Sequence, residues 1–268
     1  MAVPLMYIYL YRTLVMNNYR EIALDIKEKL GMKLSLIGVL FSDELPEGAL
    51  HFKKKGSGCI TPLIFKSAKG KTVAFDNSTT GWPCSSFYLG YSDWIFPGIE
   101  KFLSNEVVHG REPERFMKDP ETAKRFVESF IPENKRQGAV VFKPLEHFTD
   151  NEKPEIVIFF ANPDQLSALV FLIQFSAPDE ERIVTKMASA CISIFTSPMR
   201  YAQKGEKKAV WGLHDISVRK LMPKDLMTLT LTYDLFTEVY ENMNDSFIQT
   251  GNWAKLRSRN TSSNNNVK

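Results

Sequence analysis

Apolar positions recur at helical spacing from Asn18 onward: Tyr19, Ile22, Ala23, Ile26 and Leu30 fall on one face. Asn18 and Glu21 have the spacing of a capping box and Gly31 stands where a helix stops, so the pattern predicts a helix over 18–30. The apolar run 33–41 then reads as a buried strand and 43–48 as a turn. Thr61 is placed to cap a short helix with Pro62 at its first position, Gly70 closes that helix, and 71–76 reads as a strand. From Ser85 to Phe130 the pattern is mainly helical, with breaks at Pro97, Pro113 and Pro120. Its clearest helix runs over 120–130 behind Asp119, and a linker is expected near 132–137.

The second half opens with strands over 139–143 and 155–160. The latter runs into Asn162-Pro163, the start of a helix that carries Leu166, Leu169, Val170 and Ile173 on one face. Past Pro178 come another strand, a helix to about Ala202, a strand over 208–214, a period-two strand over 226–232 and a last helix ending near Asn244. Strands mixed with helices in this order predict an α+β fold, a mixed sheet with flanking helices. One domain over 16–250 is expected, divisible into two similar lobes, 16–135 and 136–250. An internal echo suggests the lobes: Cys59, a helix, Lys69-Gly70 and a strand match Cys191, a helix, Lys204-Gly205 and a strand. Recurrence by chance is the alternative. A true repeat would set Cys59 and Cys191 across a pseudo-two-fold, with Cys84 breaking it.

Charge narrows the class. The net charge of the 268 residues is +3, but Lys255, Arg257, Arg259 and Lys268 all lie in the tail, and without them the body is at −1. No basic stripe for nucleic acid is expected on such a body, and Lys53-Lys54-Lys55 reads as a solvated loop. The first fifteen residues, MAVPLMYIYLYRTLV, form an apolar N-terminal extension that is too short to span a bilayer and lacks the marks of a signal peptide. The expected reading is an over-called start with Met16 as initiator; a docked strand is the alternative. Residues 251–268 are expected to be a disordered tail, rich in Ser and Asn toward its end. An odd count of three cysteines without a secretory signal points to a reducing compartment, the cytoplasm, with no membrane partner.

Those cysteines carry the candidate chemistry. Cys59, Cys84 and Cys191 each follow glycine, serine, alanine or proline turn residues and each opens an expected helix. Free N–H groups at a helix start favour the thiolate, the form that binds metal or attacks an electrophile. No Cys-x-x-Cys is present, which excludes a zinc ribbon or a ferredoxin-type motif. Three thiols with small neighbours suit an iron–sulfur cluster with one open iron, walled by Trp82 and Tyr88 and able to bind a substrate as a Lewis acid. Separate structural or redox thiols are the competing reading, since free cysteine is often a small buried hydrophobe. A third is one nucleophilic cysteine activated by His214, the best placed of His51, His109, His147 and His214, at a strand end beside Asp215. The aromatics Trp82, Phe87, Tyr88, Tyr91 and Trp94 also allow a non-enzymatic small-molecule or partner-binding pocket, or simply core.

On these segments the chain resembles the uncharacterised conserved ArCR family, domain of unknown function 169. The resemblance runs from Asn17 to about Met243 and rests on NNYREIALDIKEKLGMKLSLIGVLF, GCITPLIFKSAKGKTVAFD, the Cys84 turn with Tyr88-Leu89-Gly90, PEIVIFFANPDQL and SACISIF. Family members tend to carry glycines after the second cysteine, where this chain has Ser85 and Ser86. The resemblance implies that the segments share one fold and implies no activity.

Overall fold

The structure, a computed structural model, describes residues 18–131 and 135–262. The apolar extension over 1–15 and Met16 lie outside the described residues, as do the last six of the tail. In chain order the elements are α1 (Tyr19–Leu30), β1 (Ile37–Ser42), α2 (Thr61–Ile64), β2 (Val73–Phe75), α3 (Pro83–Tyr88), α4 (Ile99–Leu103), α5 (Pro120–Glu128), β3 (Ala139–Pro144) and β4 (Ile156–Ala161). They continue with α6 (Pro163–Gln174), β5 (Ile183–Val184), a π-helix (Ile192–Thr196), α7 (Ser197–Gln203), β6 (Ala209–Gly212), α8 (Ile216–Arg219), β7 (Met227–Thr232), α9 (Tyr233–Asn242) and α10 (Gly251–Ser262). The fold is α+β, as the pattern predicts.

The seven strands form one sheet in the order β2-β3-β1-β4-β7-β6-β5, antiparallel throughout except for β5 with β6. Its edges are short, and Leu50 pairs with Val73 across the outer side of β2. Strand alternation divides the core in two. Ile156, Ile158 and Phe160 of β4 face the layer that contains Cys191, whereas Val157, Phe159 and Ala161 face α1, α6 and α9.

The order also repeats outward from the central β1–β4 pair: β1-β3-β2 on one side corresponds to β4-β7-β6 on the other. Matching β1 with β4, β2 with β6 and β3 with β7 preserves both chain order and strand direction. Such a two-fold is perpendicular to the sheet and keeps both halves of the echo on one face.

The helix face follows local rules. Asn18 accepts a hydrogen bond from the Glu21 N–H at 3.1 Å, and α1 ends in left-handed Gly31. Asn162 and Gln165 form a reciprocal capping box on α6, and the Gln165 amide donates to the Gly31 carbonyl, tying α6 to the end of α1. Residues 251–262, expected to be disordered, instead form α10. Trp253 buries its ring and donates its indole N–H to the Lys29 carbonyl at 2.7 Å, while Arg259 pairs with Asp164. One large aromatic side chain supplies the anchor that the polar composition of this stretch conceals.

A second difference lies over 85–130, where short α3, α4 and α5 are separated by long irregular segments. The Glu114 N–H donates to the Phe102 carbonyl and those of Phe116 and Met117 to Leu103, so the backbone between α4 and α5 is satisfied by the end of α4 and not by helix.

Candidate functional site

On the opposite face the Cys59 and Cys84 turns touch, and both cysteines pack against the hydrophobic cluster that holds Cys191. The Trp82 N–H donates to the Gly58 carbonyl at 2.8 Å, and the Gly56 N–H reaches the carbonyls of Thr80 and Gly81. Contact is so close that a Cβ on Gly81 would lie 2.0 Å from the Gly58 oxygen. Only glycine permits this approach, which fixes the Cys59 and Cys84 turns against each other.

Cys84 lies in the first turn of α3, where its own N–H and that of Ser85 act on the sulfur. Cys59 stands two residues before α2. The Thr61 N–H and hydroxyl lie against its sulfur and favour the thiolate, yet that hydroxyl, on a fully buried residue, completes no hydrogen bond of normal geometry. Thr61 is therefore the first helical residue and not the side-chain cap that the pattern suggested.

Cys191 stands directly before the π-helix. Residues 190–203 are continuously helical, and the turn widens over Ile192–Thr196 just before Pro198. Proline offers no N–H and crowds the carbonyl four residues back, and a π turn relieves both conflicts. The Thr196 hydroxyl donates to the Tyr88 carbonyl at 2.9 Å and so joins this helix to α3. On its other side Ser193 packs on Gly212, where a Cβ would meet the Ser193 side chain at 2.5 Å, and accepts the Leu213 N–H.

Leu213 is buried with φ of +69°, a left-handed conformation that is costly for a bulky residue. The bend at this point turns His214 outward, to stack near Trp211 and meet Thr185 at 3.3 Å. Asp215 instead turns inward: its carboxylate accepts hydrogen bonds from the Ala190 N–H and from the N–H and hydroxyl of Ser217. In the pseudo-symmetric scheme Cys59 corresponds to Cys191, and Cys84, between β2 and β3, corresponds to Asp215, between β6 and β7.

All four groups share one field. Burial pushes the Cys84 thiol up to about 12, and the nearby Cys59 and Asp215 add to the shift. Cys191 is raised well above the ordinary thiol range by burial, then by Cys84, Cys59 and Asp215. Burial raises Cys59 too, against the opposing pull of Thr61, and Asp215 raises it further. The buried Tyr88 hydroxyl is raised by burial and by Cys84, Cys191 and Asp215. Glu114 joins through Ser217: burial and Asp215 raise its carboxyl, against Lys220 and the Ser217 hydroxyl.

Of the residues singled out in the sequence, Cys191 and Tyr88 lie in one hydrophobic cluster, with Cys59 and Cys84 packed against it. Trp82 sits on the Cys84 turn but is half exposed, and Trp94 is more exposed still. Phe87 is core, and Tyr91 donates its hydroxyl to the carbonyls of Phe75 and Gly138. The departures Ser85 and Ser86 are buried braces, to the Trp82 carbonyl and the Thr80 hydroxyl respectively. Asp215 and Glu114 are the additions. Asp215 was visible in the sequence only as a neighbour of His214, and Glu114 lies in an irregular segment without periodicity. Among the described residues no group of three or more His, Cys, Asp or Glu is placed to hold a metal ion, and no helix is long and apolar enough to cross a membrane.

Comparison with curated proteins and with solved structures returned no match. A family model does match, over residues 25–242, and the chain accordingly belongs to the uncharacterised ArCR family, domain of unknown function 169.

Proposed function

We propose that Cys59, Cys84 and Cys191 together ligate an iron–sulfur cluster with one open iron, set in a pocket walled by Trp82 and Tyr88. The observation that carries this reading is the shared field. Cys59, Cys84, Cys191 and Asp215 lie near enough to act on one another, and each thiol is raised by other members of the group after burial. A bound cationic centre would displace the thiol protons to solvent and supply positive charge beside Asp215. The orphaned Thr61 hydroxyl fits as well, because it gains an acceptor once Cys59 is a thiolate.

A single ion and a cluster ask for different sulfur spacings. Tetrahedral zinc, with Zn–S of about 2.3 Å, needs sulfurs about 3.8 Å apart. The ligands of a cluster bind different metal atoms and stand farther apart than those of one ion. An open iron supplies Lewis-acid chemistry to a substrate oxygen or sulfur. A second reading, a non-enzymatic binding protein with packed thiols, draws on the place of Cys191 in the hydrophobic core and on the exposed Trp82 and Trp94.

Iron and acid-labile sulfide content, with an absorption spectrum, on protein purified without oxygen separates the two. Stoichiometric iron and sulfide that fall in Cys84→Ser are expected, with uptake stronger as pH rises because three thiols must lose protons. Folded protein that stays colourless and metal-free after anaerobic reconstitution overturns the cluster and leaves the binding reading.

A further inference from the structure

The C-terminal helix closes a cleft on the helix face of the sheet, apart from the cysteine layer. Helix α10 lies beyond the stretch 25–242 that the family model matches, yet it docks on the end of α1 through specific contacts. Trp253 donates to the Lys29 carbonyl, and Nη1 of Arg257 donates to the Glu28 carbonyl at 3.2 Å. The Arg257 stem packs on Gly31, where a Cβ would lie 2.9 Å from the Arg257 Cγ. A cleft of about 410 Å³ remains between these parts, and its walls include Lys27, Glu28, Met32, Lys33, Arg257 and Ser258.

The charge of these walls is one-sided. Three cations meet one carboxylate, that of the exposed Glu28. Lys27 is partly matched from below by Glu146 at 3.5 Å, a carboxylate that also takes the Ser35 hydroxyl. Lys33 and Arg257 form no ion pair among the described residues; the guanidinium bonds a backbone carbonyl, which cancels no charge.

A helix C-terminus ordinarily repels an anion through its free carbonyls. At α1 those carbonyls are already occupied. Lys27 accepts from the Met32 N–H, Glu28 from the Gly31 N–H and Arg257, Lys29 from Trp253, and Gly31 from the Gln165 amide. What the cleft offers a ligand is therefore cationic side chains beside the buried Met32.

We infer that this cleft binds a dianionic phosphate, free or carried by a small organic molecule. Arg257 supplies the planar donor fork that phosphate oxygens match, and Lys33 and Lys27 add point charges. The volume is that of a small-metabolite site. Glu28 works against the anion and keeps the affinity moderate. The site shares no residue with the cysteine turns, so its fate is separate from that of the cluster.

The test uses the full chain and three probes: ribose 5-phosphate, inorganic phosphate and uncharged ribose. Affinity is measured by calorimetry, and bound phosphate by phosphorus NMR. Ribose 5-phosphate is expected to bind and ribose to show no heat. Arg257→Gln should weaken binding about tenfold and Lys33→Gln about threefold, as loss of a charge-assisted fork and of one exposed point charge implies. Glu28→Gln should tighten it about twofold, because it removes the opposing carboxylate. Binding should weaken as pH falls through about 6, where phosphate takes up its second proton. Arg257→Gln also removes a contact that docks α10; Lys33→Gln, at an exposed residue, tests the site without that change. An ester that binds more tightly than inorganic phosphate marks a phosphorylated metabolite, equal affinity marks the free ion, and both uphold the phosphate. No binding of either phosphate at about 10 mM overturns the inference, as does affinity that is unchanged in both Lys33→Gln and Arg257→Gln.

Discussion

The two faces of the sheet are built by different means. On the helix face α1 and α6 are long, side-chain-capped and amphipathic, and the core beneath them is a large apolar cluster. On the cysteine face α2 and α3 are short and have no side-chain cap, glycines admit backbone contact, a π turn interrupts the main helix, and Leu213 is left-handed. The β7 hydroxyls of Thr228 and Thr230 are also buried there without partners. Where local rules are kept the structure serves stability; where they are broken together, the departures surround the same three thiols.

The strongest challenge to this contrast comes from the helix face. Phe159→Ala, at a fully buried ring, should cost about 3–5 kcal/mol and lower Tm by about 10 °C. The relative labelling rates of Cys59 and Cys84 below the transition should stay unchanged; a shift in those rates would mean that the faces are not separable.

Gly81→Ala attacks the other side. Its Cβ would collide with the Gly58 oxygen, at a cost of about 1–3 kcal/mol by overpacking. It should part the Cys59 and Cys84 turns, so that metal content falls further than stability does. Calorimetry beside iron analysis distinguishes this from a uniform loss.

The smallest effect is in pH. On the helix face burial raises the Glu238 carboxyl, but Lys207, Ser176 and Arg182 override it and hold the group down to about 2, below its usual 4.5. Its contribution to stability is present above about pH 4.5 and is lost as pH falls toward 2. Cys84 has the opposite sign: raised from 9.0 to about 12, it stabilises the metal-free fold below pH 9 and loses that contribution as pH rises toward 12. Glu238→Gln should flatten the acid limb of a Tm–pH curve alone, and Cys84→Ser the alkaline limb alone.

The same division decides what could be read in the sequence. Helices α1, α5 and α6 fall within about two residues of the expected bounds because caps and apolar spacing are local signals. The strand order β1-β3-β2 and β4-β7-β6 runs outward alike on the two sides of the central pair, an arrangement to set beside the echo around Cys59 and Cys191. The site was legible only as residue types. His214 drew attention by its chemistry, but the left-handed Leu213, which no local pattern announces, turns it away and sets Asp215 in its place. Glu114 arrives from an irregular segment fixed by carbonyls of α4, and the contact between Gly81 and Gly58 is long-range in sequence. Trp253 was the one mark of an ordered α10 in a tail that composition described as loose.

The ends of the sheet have their own consequence. One outer strand has three residues and is shielded by Leu50, and the other has two. Among the described residues the outermost strands offer a neighbouring chain or an extended peptide only two or three residues of ladder to lengthen, a short template for strand addition.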